Sequence, residues 1–404
     1  MNDNFSTIIK SKTKVFHWSI SIFVFTIPVS SLISVKLLLV TLLISFFVPK
    51  RVDFSVHFFR QTWSEFLYFL IILIGVFYSK DTTSGFKVLE TSFSFIAVPI
   101  IFSSPNFHHE GKLNEIVYSF ILGLAFACAI CVVNAAIVYS DSGDAQAFFF
   151  DKLTDVIHSQ PTYLAYYLIF AITLGLYLSY YKKNTIKPVV LILLLAFFFI
   201  MLILTGGQTA FVSMLLIFSF FILKFLVDQK THATKLTFAI VLVMLTCMFI
   251  VSAAERISRG VMLTDSWERF ALWESAIKAN SSVVWGVGTG GDREILNNYY
   301  KSHNLSFFAS DNYNAHNQFI QILLTNGILG VFSVLVLICR PIYLSVKNQN
   351  VMGTLVLFPF LIYGMTEVFL GRYQGVIFFA LTHQIFISYY LPGKTQLETS
   401  GKFQ

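Results

Sequence analysis

Long apolar runs recur from one end of this chain to the other, and they leave it few possible folds. A helix needs roughly twenty apolar residues to cross about 30 Å of hydrocarbon, and stretches such as Val189–Leu204 and Phe211–Phe225 approach that kind. A membrane β-barrel would alternate in polarity over segments of about ten residues; these runs do not. With 56% hydrophobic, 17% aromatic and 12% charged residues, a water-soluble domain is excluded. The chain reads as an all-α polytopic integral membrane protein of about twelve transmembrane helices.

The expected spans are Val15–Ile33, Val35–Val48, Phe66–Tyr78, Val88–Phe102, Glu115–Tyr139, Tyr163–Tyr181, Pro188–Leu204, Ala210–Leu226, Leu236–Ala253, Ile322–Tyr343, Val351–Phe369 and Val376–Leu391. They form a single membrane domain, residues 1–404, with one large partly helical loop, residues 255–315, between the ninth and tenth. A cytoplasmic N-terminus and an even count put 17 of the 28 Lys and Arg on the cytoplasmic side. Six of the others, Arg256, Arg259, Arg269, Lys278, Arg293 and Lys301, lie in the long loop. Long loops escape the positive-inside bias, so both termini are expected in the cytoplasm and the loop on the outer face. The net charge of +7 then reflects topology, and no basic cluster interleaved with aromatics points to nucleic acid. The first apolar run lacks a small-x-small cleavage site and reads as a retained helix. Cys128, Cys131, Cys247 and Cys339 all fall in expected spans, which favours packing thiols over a disulfide framework or metal pair.

Polar chemistry is therefore expected in the loop. Asp265-Ser266-Trp267-Glu268 fits a helix N-cap with an acidic third position. The following RFALWESAIKA places Phe270, Trp273 and Ile277 on one side of an amphipathic helix. Arg269 would then lie in the first turns, where a cation and free amides favour an anion. WGVGTGGDREI reads as a tight turn system, more weakly as a phosphate nest, and does not match the nucleotide-binding G-x-x-x-x-G-K-[ST]. His316 follows Asn314, a residue suited to cap a helix. Near a helix start an imidazole tends to stay neutral, so His316 is either a proton acceptor or a side chain satisfying loop hydrogen bonds. Glu367 and Arg372, near the end of a span, are either functional groups or a mutual pair reaching to the interface. No H-E-x-x-H or carboxylate-rich cluster suggests a metal.

RFALWESA, GVGTG and AHNQFIQILLTNGILG, flanked by apolar spans, resemble the O-antigen ligase and O-antigen polymerase superfamily, in the form common in Bacteroidota. YSKDTTSGFKVLETSFSFIAVPIIF, PTYLAYYL and MTEVFLGRYQGVIFFA extend the resemblance over most of the chain. The resemblance implies a metal-independent, inverting glycosyltransferase of the bacterial inner membrane that uses no cofactor. It would transfer a glycan from undecaprenyl pyrophosphate to lipid A core, or, as a polymerase, to another lipid-linked glycan, at the periplasmic face. His316 corresponds to the family's base and Arg269 to its pyrophosphate-binding Arg, with Asn317, Glu367 and Tyr163 as supporting residues. One departure is Gln208, in LTGGQTAFVSM, where the family usually carries Arg. Gln donates hydrogen bonds but no charge, and Arg372, Arg256 or Arg259 are the candidates to replace it. A rival class is a lipid-linked-oligosaccharide flippase, for which internal symmetry and helices broken near the midplane would be expected.

Overall fold

The computed structural model describes residues 2–48, 56–102, 110–180, 187–228 and 261–388. Every element there is helical, without a strand. Pro28 ends α1 (Asn2–Thr26) ahead of α2 (Ser31–Phe46), because proline restricts its predecessor and lacks an amide. The expected span Val15–Ile33 is therefore divided. Next come α3 (Val56–Phe77), α4 (Thr82–Ser92), α5 (Ser94–Phe102) and α6 (Glu110–Ser142). They are followed by α7 (Phe150–Thr154), α8 (Pro161–Tyr180), α9 (Pro188–Thr205) and α10 (Gln208–Asp228). α8 and α9 both open on proline, whose fixed φ and missing amide suit a first helical position. The loop supplies α11 (Val261–Ala279), α12 (Asp292–Ser302) and α13 (Ser306–Ser310). The C-terminal part comprises α14 (Gln318–Lys347), α15 (Val351–Leu357), α16 (Pro359–Thr366) and α17 (Tyr373–Ser388). The expected span Leu236–Ala253 lies outside the described residues.

Among the described residues, five helical segments are long and apolar enough to cross a membrane: Phe58–Phe77, Thr82–Phe102, Asn114–Ser142, Pro161–Tyr180 and Gln318–Lys347. Four shorter apolar ones accompany them: Ser31–Phe46, Val189–Thr205, Gln208–Lys224 and Val351–Thr366. Leu32, Leu43 and Phe47 around α2, Leu122 and Val133 on α6, and Ile328 and Phe332 on α14 are all exposed. Helices that meet hydrocarbon carry such an apolar exterior. The chain is a helical membrane protein.

The chain divides into two compact units: Met1–Val24, Leu32–Ser119 and Glu268–Gln404 in the first, Phe25–Ser31 and Phe120–Trp267 in the second. The second centres on α8, whose residues Tyr163 to Leu174 are all buried. Phe120 meets Tyr167 edge-on with ring centroids 5.7 Å apart, and the Tyr180 hydroxyl donates to the Lys224 carbonyl at 3.3 Å. The turn from α9 to α10 uses Gly206 at φ 64°, where a Cβ would lie 2.1 Å from the Phe150 ring.

In the first unit α14 packs along α3, α15, α16 and α17, and α17 along α5. A polar network lies inside these helices. Glu65 of α3 and His383 and Gln384 of α17 are all essentially inaccessible. Gln384 Nε2 donates to both Glu65 carboxylate oxygens, at 2.9 and 2.8 Å, and His383 Nδ1 lies 3.1 Å from Glu65 Oε1. Arg340 of α14 donates to the Gln61 carbonyl at 2.8 Å and lies 5.2 Å from the Trp63 ring centroid. Buried polar groups need such partners, and these bonds fix α3, α14 and α17 against one another.

Candidate active site

A small apolar core holds the loop together. Leu272 and Ala276 of α11, Leu296 and Tyr300 of α12, Phe308 of α13, Val287 and Ala315 cluster with Leu324 of α14. The buried side of α11 is thus Leu272, Ser275 and Ala276, whereas Phe270 and Ile277 are exposed. Phe270 and Ile277 thus share an exposed side, in keeping with their spacing, while Trp273 is partly buried. The expected N-cap at Asp265 is corrected, since α11 begins at Val261. Arg269 therefore stands about two turns into the helix, away from the free amides of its start.

The glycine-rich turn is a docking strap. Val287 N donates to Leu324 O and Gly288 N to Thr325 O, each at 2.8 Å. Thr289 N donates to Gly75 O at 3.0 Å, and Thr289 Oγ1 to Ile72 O at 2.8 Å. Gly286 N and Gly291 N are bonded as well, to Ser282 O and Gly288 O. With those amides turned to protein carbonyls, the turn gives the phosphate-nest reading no support. The strap also completes α14, which breaks at Gly327 (φ 63°, ψ −158°). Ile328 N, freed by the break, donates to Val283 O at 2.9 Å, and Asn326 Nδ2 donates to Thr289 Oγ1 at 2.9 Å. Protein thereby satisfies backbone that lipid could not.

This scaffold presents His316 at the head of α14. Its φ of 42° is left-handed, a conformation that His tolerates better than most residues. The His316 amide donates to Asn314 Oδ1 at 2.9 Å. Asn314 thus makes a local turn, and the helix cap expected of it is made by Asn317, whose Oδ1 accepts from Phe319 N and Ile320 N at 2.9 and 3.1 Å. Asn317 Nδ2 donates to Met365 O at 3.1 Å, and Gln318 Oε1 accepts from Leu370 N at 2.9 Å. These bonds draw the connection between α16 and α17, which includes the 3-10 turn Phe369–Gly371, against the histidine. His316 Nδ1 then lies 3.4 Å from Glu367 Oε2, with both side chains partly exposed. Of the two readings of Glu367, a functional group or a pair with Arg372, the carboxylate's contact with His316 fits the first. Arg372 ends the same turn and is exposed.

Three further residues brace the site. Gln321 Oε1 accepts from Ala315 N at 3.0 Å, and its Nε2 donates to Asp292 Oδ2 at 2.6 Å. Burial pushes the Asp292 carboxyl above the ordinary carboxylate range, although part of the residue remains at the surface. Tyr313 lies with its ring centroid 5.6 Å from that of His316. Burial, followed by the charges of Glu268 and Asp311, raises its phenol. Tyr313 therefore neighbours both His316 and the α11 turn that bears Arg269. The run Asn317-Gln318-x-x-Gln321 was visible as carboxamides on a first helical turn, but their partners, dozens of residues away, were not.

Gln208 and Tyr163 belong to the second unit: Gln208 is exposed at the start of α10, and Tyr163 is buried in α8. Arg256 and Arg259 lie outside the described residues. An apolar groove of about 360 Å³ in the first unit is lined by residues that include Leu38, Phe69, Phe86 and Leu89, with Glu90, Ser94 and Tyr373 as its polar members. Among the described residues, no three His, Cys, Asp or Glu side chains converge as metal ligands.

Residues 191–335 match the family model described as O-antigen ligase. The matched stretch includes Gln208, Arg269 and His316, and it accords with the superfamily indicated by the motifs. An uncharacterized protein of Haemophilus influenzae is similar at 22% identity, over 83% of this chain and 87% of that protein. Helical membrane architecture and this match together point to a membrane glycosyltransferase of ligase or polymerase type, acting on lipid-linked glycan and lipid A substrates in general.

Proposed function

We propose that the chain transfers a glycan from a polyprenyl pyrophosphate to an acceptor sugar, as an O-antigen ligase, at the outer face of the inner membrane. The observation that carries this reading is the Glu367–His316 contact at the head of α14, with His316 inside the matched stretch. A carboxylate at Nδ1 favours the tautomer with hydrogen on that nitrogen, which leaves Nε2 as the acceptor. In the reaction, the acceptor hydroxyl gives its proton to Nε2 while its oxygen bonds to the anomeric carbon. The bond from that carbon to the pyrophosphate oxygen breaks, and the polyprenyl pyrophosphate leaves with the electron pair. Direct displacement inverts the anomeric centre.

Negative charge growing on the leaving oxygen requires fixed cations. Arg269 and Arg372 are assigned that role, with Asn317 as a support. The apolar groove beside Tyr373 offers a seat for the polyprenyl tail. The loop would then be periplasmic and both termini cytoplasmic. A polymerase would use the same donor chemistry. A deletion strain separates the two: core without O-chain plus accumulated lipid-linked polymer marks a ligase, and core with a single repeat unit marks a polymerase. The flippase alternative does not gain from the Gly327 break, because the strap bonds the backbone freed there.

Purified protein with lipid-linked glycan and acceptor should form product without ATP or metal. His316→Ala should lower turnover by about 10²–10⁴-fold while the protein elutes as a folded monodisperse species. Full turnover in that variant would remove His316 as the base.

A further inference from the structure

The strap exposes an apolar surface that the candidate site does not use. Val283 is 64% exposed, Val284 52%, Trp285 55% and, in the last turn of α11, Ile277 55%. The hydrogen bond from Ile328 N to Val283 O joins this surface to Ile328, Leu329, Phe332 and Leu335, the exposed apolar stripe of α14. The stripe starts at the helix break. On the other side of Gly327, residues Leu324, Thr325 and Asn326 are buried beneath the strap. Tyr78, just past the end of α3, meets Trp285 edge-on with ring centroids 6.2 Å apart, and its hydroxyl donates to the Trp285 carbonyl at 2.6 Å. Amphipathic Trp and Tyr rings collect where apolar helix surface gives way to water. α12, by contrast, exposes Arg293, Glu294 and Lys301.

We propose that Val283, Val284, Trp285 and Ile277, together with Tyr78, form an interfacial anchor that seats the loop on the lipid bilayer at the boundary of acyl chains and headgroups. Lipid is the occupant because the patch continues without interruption into the α14 surface that hydrocarbon must cover. Burying these side chains in the bilayer stabilises the seated loop, since exposed aromatic and branched apolar groups gain on leaving water. From Gly327 back to Gln318, α14 climbs nine residues, or about 14 Å along its axis. His316 is thereby held beyond the hydrocarbon, where phosphates and sugars are hydrated. The anchor stands whether or not the chain transfers glycans.

The full chain, with its four native cysteines replaced, would be reconstituted in phosphatidylethanolamine–phosphatidylglycerol vesicles and spin-labelled at position 284 or 301. At 284, collision with oxygen should exceed collision with a water-soluble nickel chelate several-fold, and at 301 the order should reverse. Equal access of the chelate to both positions would overturn the anchor. Low access of both reagents at 284 would also do so, since protein rather than lipid would then cover it. Should the cysteine-free chain not fold, the wild type and Trp285→Phe would be compared in vesicles of acyl-brominated lipid. Trp285 fluorescence should be strongly quenched there, and its absence from the quenched fraction would equally defeat the proposal.

Discussion

The His316 corner shows how much chemistry a few local bonds can prepare. A left-handed backbone places the imidazole off the helix axis, Asn314 holds the amide, and Asn317 closes the helix start. Glu367 then meets Nδ1 only because Asn317 and Gln318 bind the turn that carries it. Asp292 is the brace with a testable ionic cost. Its raised pKa means that it binds its proton more tightly folded than unfolded. Its contribution to stability is therefore complete below the ordinary carboxylate value of 3.8 and is lost as pH rises through the raised folded value. Asp292→Asn keeps an acceptor for Gln321 and removes the charge. At neutral pH it should melt a few degrees above wild type in detergent, with the difference shrinking as pH falls toward that value. A lower melting temperature at neutral pH would contradict the burial argument.

Among the elements, the glycine-rich strap is the one most exposed to a single substitution. Gly288 has φ 92°, and a Cβ there would lie 2.4 Å from Ser79 Cα, a backbone atom that cannot swing aside. Gly288→Ala should therefore destabilise the chain by about 2 kcal/mol or more, read as a lowered melting temperature of the detergent-purified protein. An unchanged melting temperature would mean that the strap does not approach α3 this closely. From the sequence, four glycines in a short loop announced a turn but not what it touches, because Gly75, Ser79 and Leu324 are remote in the chain. Local spacing likewise grouped Phe270, Trp273 and Ile277 on one side of α11 without deciding which side the protein buries. Apolar side chains do not by themselves distinguish a protein core from a bilayer surface, and the loop core selected the opposite side.

For the molecule as a whole, the Glu65–His383–Gln384 network within the membrane-spanning helices is the costliest feature to disturb. Removing one member of a buried hydrogen-bonded network leaves its partners unsatisfied, at a cost of about 1–3 kcal/mol for each orphaned group. Glu65→Ala should accordingly reduce membrane abundance and thermal stability sharply. Exchanging the partners, Glu65→Gln with Gln384→Glu, keeps one carboxylate and one carboxamide in contact and should recover much of the loss, measured by melting in detergent. If Glu65→Ala were neutral, the network would not set the register of α3 and α17.

The sequence alone determined the all-helical membrane class and the candidacy of His316. Each follows from properties written within a segment: run length, proline and glycine positions, and the capping capacity of Asn. Only the tertiary structure decided that Glu367 faces His316, that three of the strap's glycine amides are already bonded, and that the break at Gly327 is completed by a distant strap. Those outcomes depend on which groups meet across hundreds of residues, and side-chain hydrogen bonds and close backbone contacts leave little local trace of their partners.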